Sequence, residues 1–314
     1  MYADIHWGLP VILYLFMGGM GAGAGVISAF VLLRGEGNNN RYGGHSFSIA
    51  RIGAILSLPM VGIGTGFLIL ELGSFEVGNY FRFLMLFTTI NLSPMSIGSW
   101  LLLVFMAVNA YYAFTFLKSD ATSGDANDGA RRTMAILMIP LGICVAVYTG
   151  VLLGAVPSRP FWNSPILPML FLFSALSTGV AGIMITRALL NNESEGKEAE
   201  YRLAASDFSL IMFEMLSLFL FVLFAFLMVG SSQDAILAIF SGGLASAFWI
   251  GVVVIGLLLP ALLEARFLMP RLQGGAFAAP RAMEMLIPAA IIVGGFILRY
   301  VVVIAGQVTG PVGL

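Results

Sequence analysis

The chain has 314 residues, of which 59% are hydrophobic and 10% charged, and its mean hydropathy is +0.98. A soluble domain cannot hide that much apolar surface. A net charge of −1 offers nucleic acid no electrostatic footing, and the single cysteine, Cys144, excludes internal disulfides and cysteine-ligated clusters.

The predicted elements are eight apolar stretches: roughly Gly8–Leu33, Ile49–Gly73, Met95–Leu117, Thr133–Val156, Ser164–Leu189, Phe208–Gly230, Gly243–Leu263 and Met285–Gln307. Each holds about 20–26 residues, enough to cross a hydrocarbon core of roughly 30 Å. Backbone amides in lipid must be satisfied within the segment, so the stretches predict an all-α integral membrane fold of eight transmembrane helices. The chain reads as one transmembrane domain over residues 1–314, with helices one to four and five to eight as two four-helix bundles. Met1–His6 lacks the basic start of a cleavable signal peptide, so the first helix is expected to remain.

Twelve of the fifteen Lys and Arg residues fall in alternate gaps. Arg34, Arg41 and Arg51 follow the first span, and Lys118, Arg131 and Arg132 the third. Arg187, Lys197 and Arg202 follow the fifth, and Arg266, Arg271 and Arg281 the seventh. Only Arg82 and Arg159 lie in the opposite loops, with Arg299 inside the last span. The positive-inside rule makes the basic loops cytoplasmic and puts both termini on the outer, periplasmic side. The longest loop, Leu190–Asp207, is acidic, and none is large enough to fold as a domain.

Span one contains Gly18-Gly19-Met20-Gly21-Ala22-Gly23-Ala24-Gly25. No strand precedes it, so it is not a phosphate loop. Gly19/Gly23, Gly21/Gly25 and, in span two, Gly62/Gly66 have the spacing that lets membrane helices approach closely. Cys144 is expected to be a small buried residue. Pro59, Pro140, Pro260 and Pro288 each remove a helical hydrogen bond, so kinks are expected there. His6 and His45 belong to opposite faces, which excludes a bis-histidine haem in the bundle. Redox chemistry would therefore need metal centres on another chain.

Ionisable groups inside a membrane are costly and are functional candidates. Glu214 lies about 10 Å from the cytoplasmic edge and Arg299 about 21 Å, at about 1.5 Å per residue. They are either a buried structural pair or carriers of protons. Asp207, Glu264 and Glu284, at the inner ends of spans six, seven and eight, extend the same line as solvated edge charges or as further proton sites. Toward the outer face gather His6, Trp7, Tyr14, Glu71, Asn91, Ser93, Ser96, Ser99, Trp100 and Tyr148. A quinone head group needs donors to its two carbonyl oxygens and an acceptor for quinol protons. Tyr148 suits the first role, and Glu71 or His6 the second.

Several strings then carry a resemblance. Leu70-Glu71-Leu72-Gly73, Arg82-Phe83 and Ser93-Pro94-Met95-Ser96-Ile97-Gly98-Ser99-Trp100 resemble the signature of the NrfD/PsrC family, integral membrane subunits of polysulfide-reductase-like complexes. His6-Trp7-Gly8-Leu9-Pro10 with Tyr14-Leu15-Phe16, Tyr148-Thr149-Gly150, Trp162-Asn163-Ser164-Pro165-Ile166-Leu167-Pro168 and Gly294-Gly295-Phe296-Ile297-Leu298-Arg299-Tyr300 fit in order. The resemblance implies a menaquinone or ubiquinone site near the outer face, within helices one to four. Tyr148 matches the tyrosine that bonds the quinone, and Tyr14, His6, Glu71, Ser96 and Trp100 are its companions. One departure is that span one has no histidine where the polysulfide reductase subunit places one, so His6 or Tyr14 would substitute.

The resemblance further implies an iron–sulfur, ferredoxin-like partner coupled to a molybdopterin catalytic subunit, with no haem or metal in this chain. Arg82, Arg159 and Trp162, in the outer loops, are the candidate docking surface. The leading expectation is a quinone-reactive membrane anchor exchanging electrons with the docked subunit, with a proton route through helices six to eight. A proton-coupled secondary transporter using Glu214 and Arg299 and a structural anchor without its own quinone site are the alternatives.

Overall fold

The computed structural model describes residues 7–35, 45–71, 93–117, 128–190, 197–228, 230–272 and 280–308. His6 and Arg82 lie outside them. The described chain is helical, without strands, and eight helices are long and apolar enough to cross a membrane. In order they are Leu9–Gly35, His45–Glu71, Pro94–Leu117, Asp128–Gly154, Leu167–Leu189, Lys197–Leu227, the continuous pair Ala247–Leu258 and Leu259–Leu272, and Arg281–Val308. They are called helices one to eight below.

Two differences from the expected elements have physical causes. Helix six begins at Lys197, so the segment up to Asp207, read as loop, is helical. Its Lys, Glu, Ala, Arg and Leu residues are good helix formers, which hydropathy does not register. Between helices six and seven lies a short helix, Ser231–Phe240, that buries Ala235, Ile236 and Ile239. Trp249 at the start of helix seven donates its indole N–H to the Phe240 carbonyl at 3.3 Å, holding this helix down.

Helix one is apolar all round, which suits an element enclosed by others. It packs against helices two, four and five, and more lightly against eight. Helices one to four form one bundle through the pairs one–two, one–four, two–three and three–four. Helices five to eight form a second through five–six, six–seven, seven–eight and five–eight. The bundles meet where helix five lies on helices one and four.

The glycine run makes that junction. A Cβ on Gly23 would overlap the Ala175 carbonyl, and one on Gly179 would overlap the backbone of Gly23 and Ala24. Without water to drive helices together, such backbone-to-backbone approach supplies the dispersion contact that holds them. Gly256 and Gly294 repeat the device between helices seven and eight. Gly62 and Gly66 do not: a Cβ on either meets no described atom within 4 Å.

Cys144 corrects another expectation, since it is exposed on the lipid side of helix four. Helices two, four and eight run through Pro59, Pro140 and Pro288. The winding changes instead in helix seven. Ala247–Leu258 is a π-helix, and the α-helical part starts at Leu259, one residue before Pro260. A π-segment and a proline each break the regular bonding ladder, so their adjacency confines the irregularity to one place.

Candidate functional site

At the end of the bundle where helix one begins, three chain segments are clasped together. Trp7 N–H donates to Gln307 Oε1 at 2.8 Å, and Gln307 Nε2 donates back to the Trp7 carbonyl at 3.1 Å. The Trp7 ring stacks on Trp162, with centroids 5.1 Å apart. Trp162 is wholly buried and donates its indole N–H to the Val302 carbonyl at 2.9 Å. Its ring fills the space that a side chain on Gly306 would need. Arg159 is also buried and donates from Nη1 to the Gln307 carbonyl at 3.0 Å. Arg159 and Trp162 thus tie the loop between helices four and five to Trp7 and to helix eight.

Glu71 joins the same end. Its Oε1 accepts the Gly8 N–H at 3.1 Å, just before the first turn of helix one, where a carboxylate also opposes the positive end of the helix dipole. Ser93 opens helix three as a cap: its Oγ accepts the Ser96 N–H at 3.3 Å. Ser96 Oγ accepts from Ser93 Oγ at 3.3 Å, so Ser96 is engaged locally. Trp100 is 43% exposed and faces away from the bundle interior.

Below this layer two tyrosines sit inside the first bundle. The Tyr148 ring lies on the backbone of Gly98, where any side chain on helix three would collide with it. Tyr14 of helix one is buried, within electrostatic reach of Tyr148, and its hydroxyl has no hydrogen-bond partner among the described residues. A buried hydroxyl without a partner costs roughly 1–3 kcal/mol. Such a group is a donor waiting for a ligand or water. The orphaned hydroxyl fits a carbonyl acceptor of the quinone type.

A second polar line runs through the other bundle. Arg299 is completely buried. Its Nε donates to the Leu15 carbonyl at 3.2 Å, and its Nη1 to the Gly295 carbonyl at 2.8 Å and to Ser174 Oγ at 3.0 Å. Phe16 and Phe171 flank the guanidinium at 5.6 and 5.3 Å. Gly19 leaves it room, because a Cβ there would stand 3.0 Å from Nη2. Glu214 of helix six lies near enough to Ser174 and to Arg299 to interact with both. Seven residues earlier on helix six, Asp207 Oδ1 accepts from Ser177 Oγ at 2.8 Å. Glu264 of helix seven is near enough to Asp207 to interact electrostatically.

Asp207, Glu214 and Glu264 are all buried, so the first and last are not solvated edge charges. Glu284 is half-buried at the start of helix eight. The charges of this line are legible in the sequence, whereas its serine bridges are not among the expected site residues. Ser174 and Ser177, three residues apart in an apolar span, are the signal that could have found them. Two other buried polar groups also lie outside the expected set. Asn109 Nδ2 donates to Ser57 Oγ at 2.8 Å, and the Arg131 guanidinium lies 5.1 and 4.9 Å from the rings of Phe47 and Phe116 while donating to the Thr115 carbonyl at 3.0 Å.

Among the described residues, no group of three or more His, Cys, Asp or Glu side chains could hold a metal ion.

The sequence matches the family described as "Polysulphide reductase, NrfD" over residues 1–311. It is 31% identical to the C subunit of the polysulfide reductase of Wolinella succinogenes, across 98% of this protein and 96% of that one. It is 27% identical to the protein NrfD of Escherichia coli (strain K12), across 98% and 97% respectively. An NrfD homolog of Haemophilus influenzae is 31% identical over 55% of this protein and 52% of its own length. With its eight apolar spans and near-complete coverage by these relatives, the chain belongs to the NrfD family, the multi-pass inner-membrane subunits of oxidoreductase complexes.

Proposed function

We propose that this protein binds a quinone, menaquinone or ubiquinone, among helices one, three and four. There it passes electrons between the quinone and an iron–sulfur subunit docked on the outer face. A molybdopterin subunit beyond that partner carries the terminal chemistry. The quinone supplies a two-electron, two-proton redox couple; this chain supplies orientation and proton handling. Tyr148, held in place by its seat on Gly98, donates to one carbonyl oxygen. Tyr14 donates to the other or to a water bound on it. His6 remains a candidate proton group at this end. Glu71 holds the start of helix one, so it positions Tyr14 as well as lying near the outer surface.

The observation that carries this reading is the buried Tyr14 hydroxyl beside Tyr148, without a partner among the described residues. What supports the redox setting is the similarity, over nearly the whole length, to a relative that is itself a polysulfide reductase subunit. The proton route through Glu214, Arg299, Asp207, Glu264 and Glu284 belongs to the same proposal. Purified complex bearing Tyr148→Phe tests it: the quinone KM rises about tenfold, the loss of roughly one hydrogen bond of 1.4 kcal/mol. An unchanged KM and unchanged binding of a quinone analogue would show the tyrosine site to be unused.

A further inference from the structure

Resting on that quinone reading, we propose that Ser174 and Ser177 of helix five join Glu264, Asp207, Glu214 and Arg299 into one proton line serving the tyrosine site. Ser174 is the relay and Arg299 the positive gate at its head.

Three features of the line do not suit a purely structural cluster. Both oxygens of Glu264 and Oδ2 of Asp207 are buried without a hydrogen-bond partner among the described residues, in side chains that are 1% and 0% exposed respectively. A carboxylate so placed must hold a proton or water, and either makes it a stop on a proton route. Secondly, Arg299 spends two of its donors on the Leu15 and Gly295 carbonyls and a third contact on Ser174, leaving Nη2 against Gly19 with no partner among the described residues. Thirdly, the Leu15 carbonyl it holds is adjacent in sequence to Tyr14. The line in the second bundle therefore ends on the helix that carries the proposed quinone donor. The neighbouring elements also bring Arg187, buried near the end of helix five, and Glu284. Each has an interaction of its own.

The transfer balances without any electron moving along the line. Glu214 as an acid gives its proton to Ser174 Oγ, while the hydroxyl proton of Ser174 passes to a water on the helix-one side, which hands one of its own protons on toward the quinone oxygen. Asp207, reloaded through Glu264, returns a proton to Glu214 across the two helical turns between them, a step of about 10 Å that calls for intervening water. The proton ends on a quinone oxygen as the docked subunit delivers electrons, and quinol oxidation runs the same steps backward. The guanidinium repels an unpaired proton, so the line conducts only when negative charge at the redox site draws the proton past.

The test uses the whole complex in liposomes, with quinone turnover followed in water and in deuterium oxide. Ser174→Ala, Ser174→Thr, Ser177→Ala and Tyr148→Phe are compared. In Ser174→Ala and Ser177→Ala, kcat falls about tenfold or more, the quinone KM is unchanged and the solvent isotope effect grows. Ser174→Thr keeps a hydroxyl and restores kcat and the isotope effect. A Ser174→Ala complex with wild-type kcat and isotope effect, or with only a lowered Tm, overturns the relay. If Tyr148→Phe still weakens quinone binding in that case, the relay alone is wrong. If both variants are silent, the quinone reading fails with it.

Discussion

Tyr14 and Tyr148 illustrate what one hydroxyl does in a dry interior. The Tyr14 hydroxyl has no partner among the described residues, so removing it relieves an unmet desolvation cost. In Tyr14→Phe the thermal midpoint should hold or rise while a quinone analogue binds more weakly. A drop in both would mark Tyr14 as an ordinary core residue. Both tyrosines are legible in sequence as polar groups within their spans. Trp100, from an equally distinctive string, is legible as present and not as outward-facing. Helix three is apolar on every side, so no polar stripe encodes which face turns inward. The exposure of Cys144 is hidden in the same way, whereas the burial of Arg159 and Trp162, in the loop between helices four and five, comes from their contacts with Trp7, Val302 and Gln307. Position along a span is written in hydropathy; rotation about its axis is written only in packing.

Helices in this protein are held by close backbone contact at a few glycines and by hydrogen bonds between their ends. Gly23→Val would force helix one away from the Ala175 carbonyl. Overpacking of that kind costs about 1–3 kcal/mol, so the variant should unfold at lower temperature in detergent. Gly62→Ala, with open space around it, should leave the midpoint unchanged and serves as the control. Trp162→Phe removes the donor to Val302 and should cost about 1 kcal/mol in the same assay, through a carbonyl left without it. At this scale the sequence shows where helices cross the membrane, because a span must be apolar along its length. It does not show where they stop. The Lys197–Asp207 extension is polar and lies beyond the apolar limit, so only its helix propensity speaks for it. Of the glycine pairs, spacing alone does not tell the working ones from Gly62/Gly66. The difference lies in which helix stands opposite.

For the whole molecule, charge along the chain carries the orientation. A single cysteine placed between Lys118 and Arg132, in a Cys144→Ser background, should react with a membrane-impermeant thiol reagent only from the cytoplasmic side. Labelling from the periplasm would invert the topology. The two bundles divide the labour: helices one to four carry the paired tyrosines and helices five to eight the buried acids. Arg299, reaching from helix eight to the Leu15 carbonyl, is a physical link between them. The most direct measurement of the central claim is photolabelling of the intact complex with a photoreactive quinone analogue, followed by peptide mapping. The account predicts label on the peptides containing Tyr14, Gly98 and Tyr148, displaced by native quinone and reduced in Tyr148→Phe. Label confined to helices six to eight, or none that native quinone displaces, would contradict it.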